Sequence, residues 1–160
     1  MPAGDAAMLR RVKLPVVSVR ESTDPRDLAR AVEIRRIVFV DEQGVREDEE
    51  LDGLDEHCVH FLAEIDERVV GTARMRPKPE DPSIAKAERV AVLRELRGAG
   101  VGRALMAALE AEAKLRGHAG VLLAAQVSAI AFYERLGYTA FGEPFDDARI
   151  EHRWMKKPLA

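Results

Sequence analysis

Apolar residues recur along the chain in two periods, and each change of period marks an element. Val16-Val17-Ser18-Val19-Arg20 is a β-branched run and predicts a first strand. Thr23-Asp24-Pro25 is a helix start, with a capping residue directly before proline. Leu28, Ala31, Val32, Val38 and Phe39 follow at helical spacing and predict a helix over 28–40 with one buried face. Residues 41–56 are acidic and irregular, contain Gly44 and Gly53, and predict a loop with at most a short helix. Two strand-like runs, 59–65 and 69–75, are joined by Asp66-Glu67-Arg68, as in an antiparallel hairpin. Pro77, Pro79 and Pro82 mark a loop, and Glu88-Arg89-Val90-Ala91-Val92 is a further strand.

The C-terminal half is more regular. A helix is expected over 100–116, with Val101, Leu105, Ala108, Leu109 and Leu115 as its apolar stripe and Gly117 as its stop. Val121-Leu122-Leu123-Ala124-Ala125 is an uninterrupted apolar run, as in a central strand covered on both faces. Ser128 is placed to cap a helix over 129–136, which Gly137 ends. Closing strands are expected at 138–141 and 150–155. This order gives an α/β fold with a mixed sheet, and two strand–helix connections are expected to be right-handed crossovers.

Composition narrows the class without naming a chemistry. The chain has 160 residues, 47% hydrophobic and 33% charged, with net charge −3. That fits one globular domain over 16–158 after a loose leader at 1–15. The acidic balance argues against a general nucleic-acid binder. The leader has no apolar stretch of signal-peptide type and no segment reaches the ~20 apolar residues of a membrane span. A single cysteine, Cys58, fits a reducing compartment, and a cytoplasmic location is expected.

The chemistry is concentrated in Arg97-Gly98-Ala99-Gly100-Val101-Gly102-Arg103, between a strand and a helix. Glycine lets the backbone approach a ligand and take otherwise strained angles. The first helix N–H groups lack intrahelical partners, and with the helix dipole they form an anion site. Arg97 and Arg103 add positive charge. A P-loop is ruled out because no Lys-Ser/Thr pair follows. The dinucleotide fingerprint is not matched, because Arg103 or Leu105 stands where its third glycine belongs; a tight turn that only packs helix on sheet, and a different nucleotide site, stay as alternatives.

Arg97-x-x-Gly100-x-Gly102 resembles the pyrophosphate signature [RQ]-x-x-G-x-[GA] of the GNAT superfamily of N-acyltransferases. Residues 88–92 are similar to the strand before that signature. Phe132-Tyr133-Glu134-Arg135-Leu136-Gly137-Tyr138 resembles the family's F-Y-x-x-x-G-[FY] segment. The likeness covers roughly 16–155. Within the superfamily, residues 37–45, Ala125-Gln126 and Ile150-x-His152-x-x-Met155 resemble the small ElaA-like branch.

The resemblance implies that strands 88–92 and 121–125 splay apart around the acyl-CoA. The pantetheine arm would bond to the backbone of Val90 and Val92 beside Ala91. The pyrophosphate would rest on amides of Gly98, Ala99, Gly100, Val101 and Gly102, with Phe132 and Gln126 nearby. Many members have asparagine near Gln126, so the longer side chain is a departure. An amine attacks the thioester directly. Tyr133 matches the position of the proton donor to the leaving thiolate, and a phenol of pKa near ~10 suits a thiol of ~8.5. A core aromatic is the alternative role.

The remaining assignments concern proton removal and the acceptor. Glu88 is the leading base, acting through water, against a role as a solvated strand-edge carboxylate. Glu42 and His152 are alternatives. Phe39, Glu42, Gln43 and His152 are expected on the acceptor side, where acidic residues would attract a cationic amine. The H-x-x-H of His57 and His60 points to opposite faces of a strand, so no metal site is expected. The expected activity is acetyl transfer from acetyl-CoA to a primary amine, with a small molecule favoured over a protein acceptor. A silent acyl-CoA-binding or sensor module is the alternative, and homodimerisation is left open.

Overall fold

A computed structural model describes residues 16–160. The leader expected at 1–15 lies outside the described residues. Strand β1 (Ser18–Glu21) leads to helix α1 (Pro25–Arg35), which starts as the sequence predicts. Asp24 is its cap, accepting a 3.0 Å hydrogen bond from the Asp27 amide, and Pro25 occupies the first turn. The helix does not run on to Val40 as regular α-helix. It loosens into a π-helical segment, Arg36–Glu42, that keeps Val38 buried. Short helix α2 (Glu47–Glu50) and a 3-10 turn (Asp55–His57) give the acidic segment more order than a loop.

Strands β2 (Val59–Ile65), β3 (Arg68–Lys78) and β4 (Asp81–Val92) form a meander. Asp66 and Glu67 both have positive φ, as a two-residue hairpin turn requires. The expected proline loop is instead the strand-rich end of β3 and β4. Pro77 sits beside a register shift, and Pro79 lies in the two-residue turn, where no ladder N–H is needed. Helix α3 (Val101–Leu115) buries Val101, Leu105, Met106, Leu109 and Ala113. Leu115, expected in that stripe, is 82% exposed, and Ala113 is the residue that the last turn buries. Strand β5 (Gly120–Gln126) is followed by a 3-10 turn (Val127–Ala129) and helix α4 (Ile130–Arg135). That turn displaces Ser128 from the capping position, which Ala129 holds without a side-chain bond. Strands β6 (Thr139–Asp147) and β7 (Ile150–Pro158) end the fold and run longer than expected.

The seven strands form one sheet in the order β1-β2-β3-β4-β5-β7-β6. Among the described residues only β4 and β5 pair in parallel, and only from Ile84↔Gly120 to Ala87↔Leu123. Beyond that rung β4 stays with β3, as far as Gly71↔Val92, and β5 stays with β7, as far as Gln126↔His152. The sheet therefore splits into two halves at Glu88 and Ala124. The split coincides with a bulge. Arg89 has φ +56°, and the β3–β4 register shifts between Thr72 and Arg74. An extra residue with left-handed backbone turns its strand away from the ladder. Helices α1 and α3 pack on β2–β4, while α4 packs on β5 and β6.

Candidate active site

The split opens a cavity of about 830 Å³. One end is built by the glycine-rich turn. Gly98 and Gly100 both have φ +86°, so the chain folds back through two left-handed residues before α3 begins. Ala104 is the first helix amide to bond back, to the Gly100 carbonyl at 3.0 Å. The amides of Val101, Gly102 and Arg103 thus have no intrahelical partner, which is the arrangement that holds an anion. Gly98, Gly100, Val101, Gly102, Arg97 and Arg103 all line the cavity. Ala99 does not, and its amide bonds to the Leu96 carbonyl at 3.3 Å.

Arg97 is engaged within the protein. Its guanidinium holds both oxygens of Glu42, one at 2.8 Å, and also donates to the Val92 carbonyl at 3.0 Å. That hydrogen bond from Arg97 is the main reason the Glu42 carboxyl lies below its usual pKa. Glu42, expected on the acceptor side, lies outside the cavity lining and braces this turn instead.

The floor comes from α4. Phe132 lies so close to Gly102 that a Cβ there would stand 3.0 Å from its Cζ. Its ring meets Tyr133 edge-on at 4.9 Å between centroids, and Tyr138 meets Tyr133 from another side at 5.8 Å. Tyr133 is thus clamped, buried and still part of the cavity lining. Burial pushes its hydroxyl pKa well above the usual phenol value. It is a neutral phenol at any physiological pH.

The middle of the cavity is lined by Glu88, Val90, Ala91 and Val92 of β4, with Gln126 of β5 opposite. Gln126 is bonded to Gln43, amide to amide. Gln126 Nε2 donates to Gln43 Oε1 at 2.8 Å, and Gln43 Nε2 donates back at 3.4 Å. The two residues, assigned from sequence to opposite ligands, form one tie between the π-helical segment and β5.

Glu88 is surrounded by cations. Arg76 Nε donates to it at 2.8 Å, Arg74 lies at 3.3 Å and Lys86 at 3.6 Å. Burial alone would raise its pKa, but the Arg76 hydrogen bond and the three positive charges outweigh burial and lower it.

The other end of the cavity is aromatic. Phe145 stacks on His152 at 5.8 Å and on Trp154 at 5.2 Å, and Phe39 also faces the cavity. His152 Nδ1 lies 2.7 Å from the Ile150 carbonyl. A carbonyl only accepts, so Nδ1 carries the hydrogen and the neutral ring keeps its lone pair on Nε2.

Cys58 is half-buried, donates to the Leu54 carbonyl at 3.2 Å, and is absent from the cavity lining. Burial raises its thiol pKa, which disfavours the thiolate a nucleophile needs. Among the described residues no group of three or more His, Cys, Asp or Glu is arranged to hold a metal ion. None of their helices is long and apolar enough to cross a membrane.

Sequence reasoning missed the support beneath the site. Arg35, 1% exposed, holds Glu50 at 2.6 Å and Asp55 at 2.8 Å. Arg74, also 1% exposed, binds Asp55 at 2.8 Å, together with Asp52 and Glu88. Arg89, at the bulge, reaches Glu50 and Asp52. Buried Glu50 and the more accessible Asp52 and Asp55 of the acidic segment are thus counter-ions to arginines around the split strand. The only sequence signal was an unusual density of carboxylates beside an arginine-rich helix.

The comparisons agree with this geometry. The model of the Acetyltransferase (GNAT) family matches residues 27–138. The uncharacterized N-acetyltransferase YjcF of Bacillus subtilis is 41% identical over 125 residues, covering 78% of this chain and 87% of the relative. An acyl-CoA N-acyltransferase from Pseudomonas aeruginosa superposes with TM-score 0.76 at 27% identity, over 89% of this chain and 99% of that one. Escherichia coli ElaA has the same fold, with TM-score 0.78 at 24% identity over 89% of this chain and 99% of its own. With the split sheet, the anion turn and the clamped tyrosine in one cleft, the chain belongs to the GNAT acetyltransferase family and is an acyl-CoA-dependent N-acyltransferase.

Proposed function

We propose that residues 16–158 form one catalytic unit that transfers an acetyl group from acetyl-CoA to the primary amine of a small molecule. The supporting observation is the clamped Tyr133. Its buried, neutral hydroxyl lines the same cleft as the free amides of α3. The amides of Val101, Gly102 and Arg103, with Arg97 and Arg103, would hold the pyrophosphate. The unpaired edge of β4 at Val90, Ala91 and Val92 would receive the pantetheine arm, with Phe132 and Gln126 bounding the channel. Arg97 would leave the Val92 carbonyl as that arm arrives.

The amine attacks the thioester carbonyl, and Tyr133 protonates the departing thiolate. Proton removal from the ammonium falls to Glu88 through water or to Nε2 of His152. The cations around Glu88 keep it ionised and weaken it as a base. Phe39, Gln43 and His152 form the wall against which the acceptor lies, and Glu42 acts on that wall only through Arg97. No covalent enzyme intermediate is required.

Thiol release from acetyl-CoA, measured over a panel of small amines and short peptides, tests this reading. Turnover is expected with at least one small amine. Tyr133→Phe is expected to reduce kcat about 10²–10⁴-fold, the usual worth of a positioned acid, with acetyl-CoA affinity unchanged. Release with peptides alone would move the acceptor class to proteins. Acetyl-CoA binding without release from any acceptor would identify a binding module instead.

A further inference from the structure

The cavity contains an acceptor-type amine of its own. Lys86 is the only lysine among the described residues that line it. It lies on β4 opposite Leu122, one rung before the last rung that β4 shares with β5. Alternation along the strand puts its side chain on the same face as Glu88. Its Nζ lies 3.6 Å from Glu88 Oε2 and 5.5 Å from the centre of the Trp154 ring. Its side chain is 18% exposed. A primary ammonium over an aromatic face, next to a carboxylate, is how a site would hold a cationic amine before reaction.

We infer that Lys86 is a modification site: the chain acetylates its own Lys86 from bound acetyl-CoA when no free amine occupies the cavity. This rests on the proposed acetyl transfer. The ammonium gives one proton to solvent water in the open cavity, while Glu88 stays ionised beside it. Nζ then attacks the thioester carbonyl carbon. The carbon–sulfur bond breaks, and Tyr133 protonates the sulfur. The second nitrogen proton restores the Tyr133 hydroxyl. One acetyl-lysine, one free thiol and one released proton result. Being tethered, the amine reacts without the entropy loss of capturing a free acceptor.

Purified full chain is incubated with acetyl-CoA and no acceptor, then analysed by intact mass and peptide mapping. The expected result is one added acetyl group per chain, on Lys86, at a first-order rate independent of protein concentration. Lys86→Arg keeps a cation beside Glu88 and is expected to gain no such group. Tyr133→Phe, checked for folding by its thermal transition, is expected to slow the reaction about 100-fold or more. An unmodified Lys86 overturns the inference, and so does equal modification in Tyr133→Phe, which would mean uncatalysed acetylation. The parallel thiol-release panel separates the two readings. Turnover of free amines with Lys86 unmodified sinks this inference alone, whereas failure to bind acetyl-CoA sinks both.

Discussion

Gly100 and Gly102 stand two residues apart under different constraints. Gly100 has φ +86° and nothing within 4 Å of where a Cβ would stand. Space is available, but the left-handed backbone disfavours any other residue by about 1–2 kcal/mol. Gly102 has ordinary helical backbone, but its Cβ would press on Phe132 at 3.0 Å. Gly100→Ala is therefore expected to lower Tm by several degrees, since about 1 kcal/mol is ~2–4 °C in a chain of this size. Gly102→Ala gains helix propensity of up to about 1 kcal/mol, which offsets the contact. Its expected effect is on turnover, because a displaced Phe132 no longer clamps Tyr133. Differential scanning calorimetry and kcat on the two variants check this, and reversed outcomes would contradict it.

At the scale of elements, what was legible depended on local signals. The anion turn, the Phe132-Tyr133 segment and the β2–β3 hairpin each have a signature within a few residues. The β3–β4 hairpin was hidden by Pro77 and Pro79, which the sheet tolerates at a bulge and a turn. Residues 41–56 were legible as acidic but not as structural, because their partners are remote. Arg74 lies 22 residues from Asp52, and Arg89 lies 39 from Glu50. The Gln43–Gln126 tie spans 83 residues and is equally invisible in one dimension. It makes the π-helical segment and β5 one wall of the cleft. Gln43→Ala and Gln126→Ala are expected to be coupled by about 0.5–1.5 kcal/mol in a double-mutant cycle of stability, the worth of a hydrogen bond between neutral groups. Additive effects would mean that the two elements hold their positions independently.

At the scale of the whole molecule, an ion network around buried Arg35, Arg74 and Glu50 connects α1, the acidic segment, β3 and β4. Removing one partner of such a pair is more damaging than its net stabilisation indicates, because the other charge stays buried. The network also fixes a pH window. Burial by itself would raise the Asp52 and Asp55 carboxyls. Hydrogen bonds from Arg74 to both, from Arg35 to Asp55 and from the Leu54 amide to Asp52 more than reverse this, so both lie below their usual values. Glu88 is depressed in the same sense. Each group therefore binds its proton more readily in the unfolded chain, whose carboxyls titrate near pH ~4. Stability from these pairs is complete above that value and is lost as pH falls towards the depressed folded values. Tm is expected to stay level from neutrality down to about pH 5 as far as these groups decide it, and to drop steeply below about pH 4. Asp52→Asn with Asp55→Asn should lower Tm at pH 7 and flatten the acid limb, since fewer protons are then taken up on unfolding. Thermal transitions measured from pH 3 to 8 on both proteins decide it. An acid limb as steep in the variant as in the parent would place the acid sensitivity outside this network. A flattened limb would show that the charges read from sequence as an acidic, irregular loop hold the strand that carries Glu88.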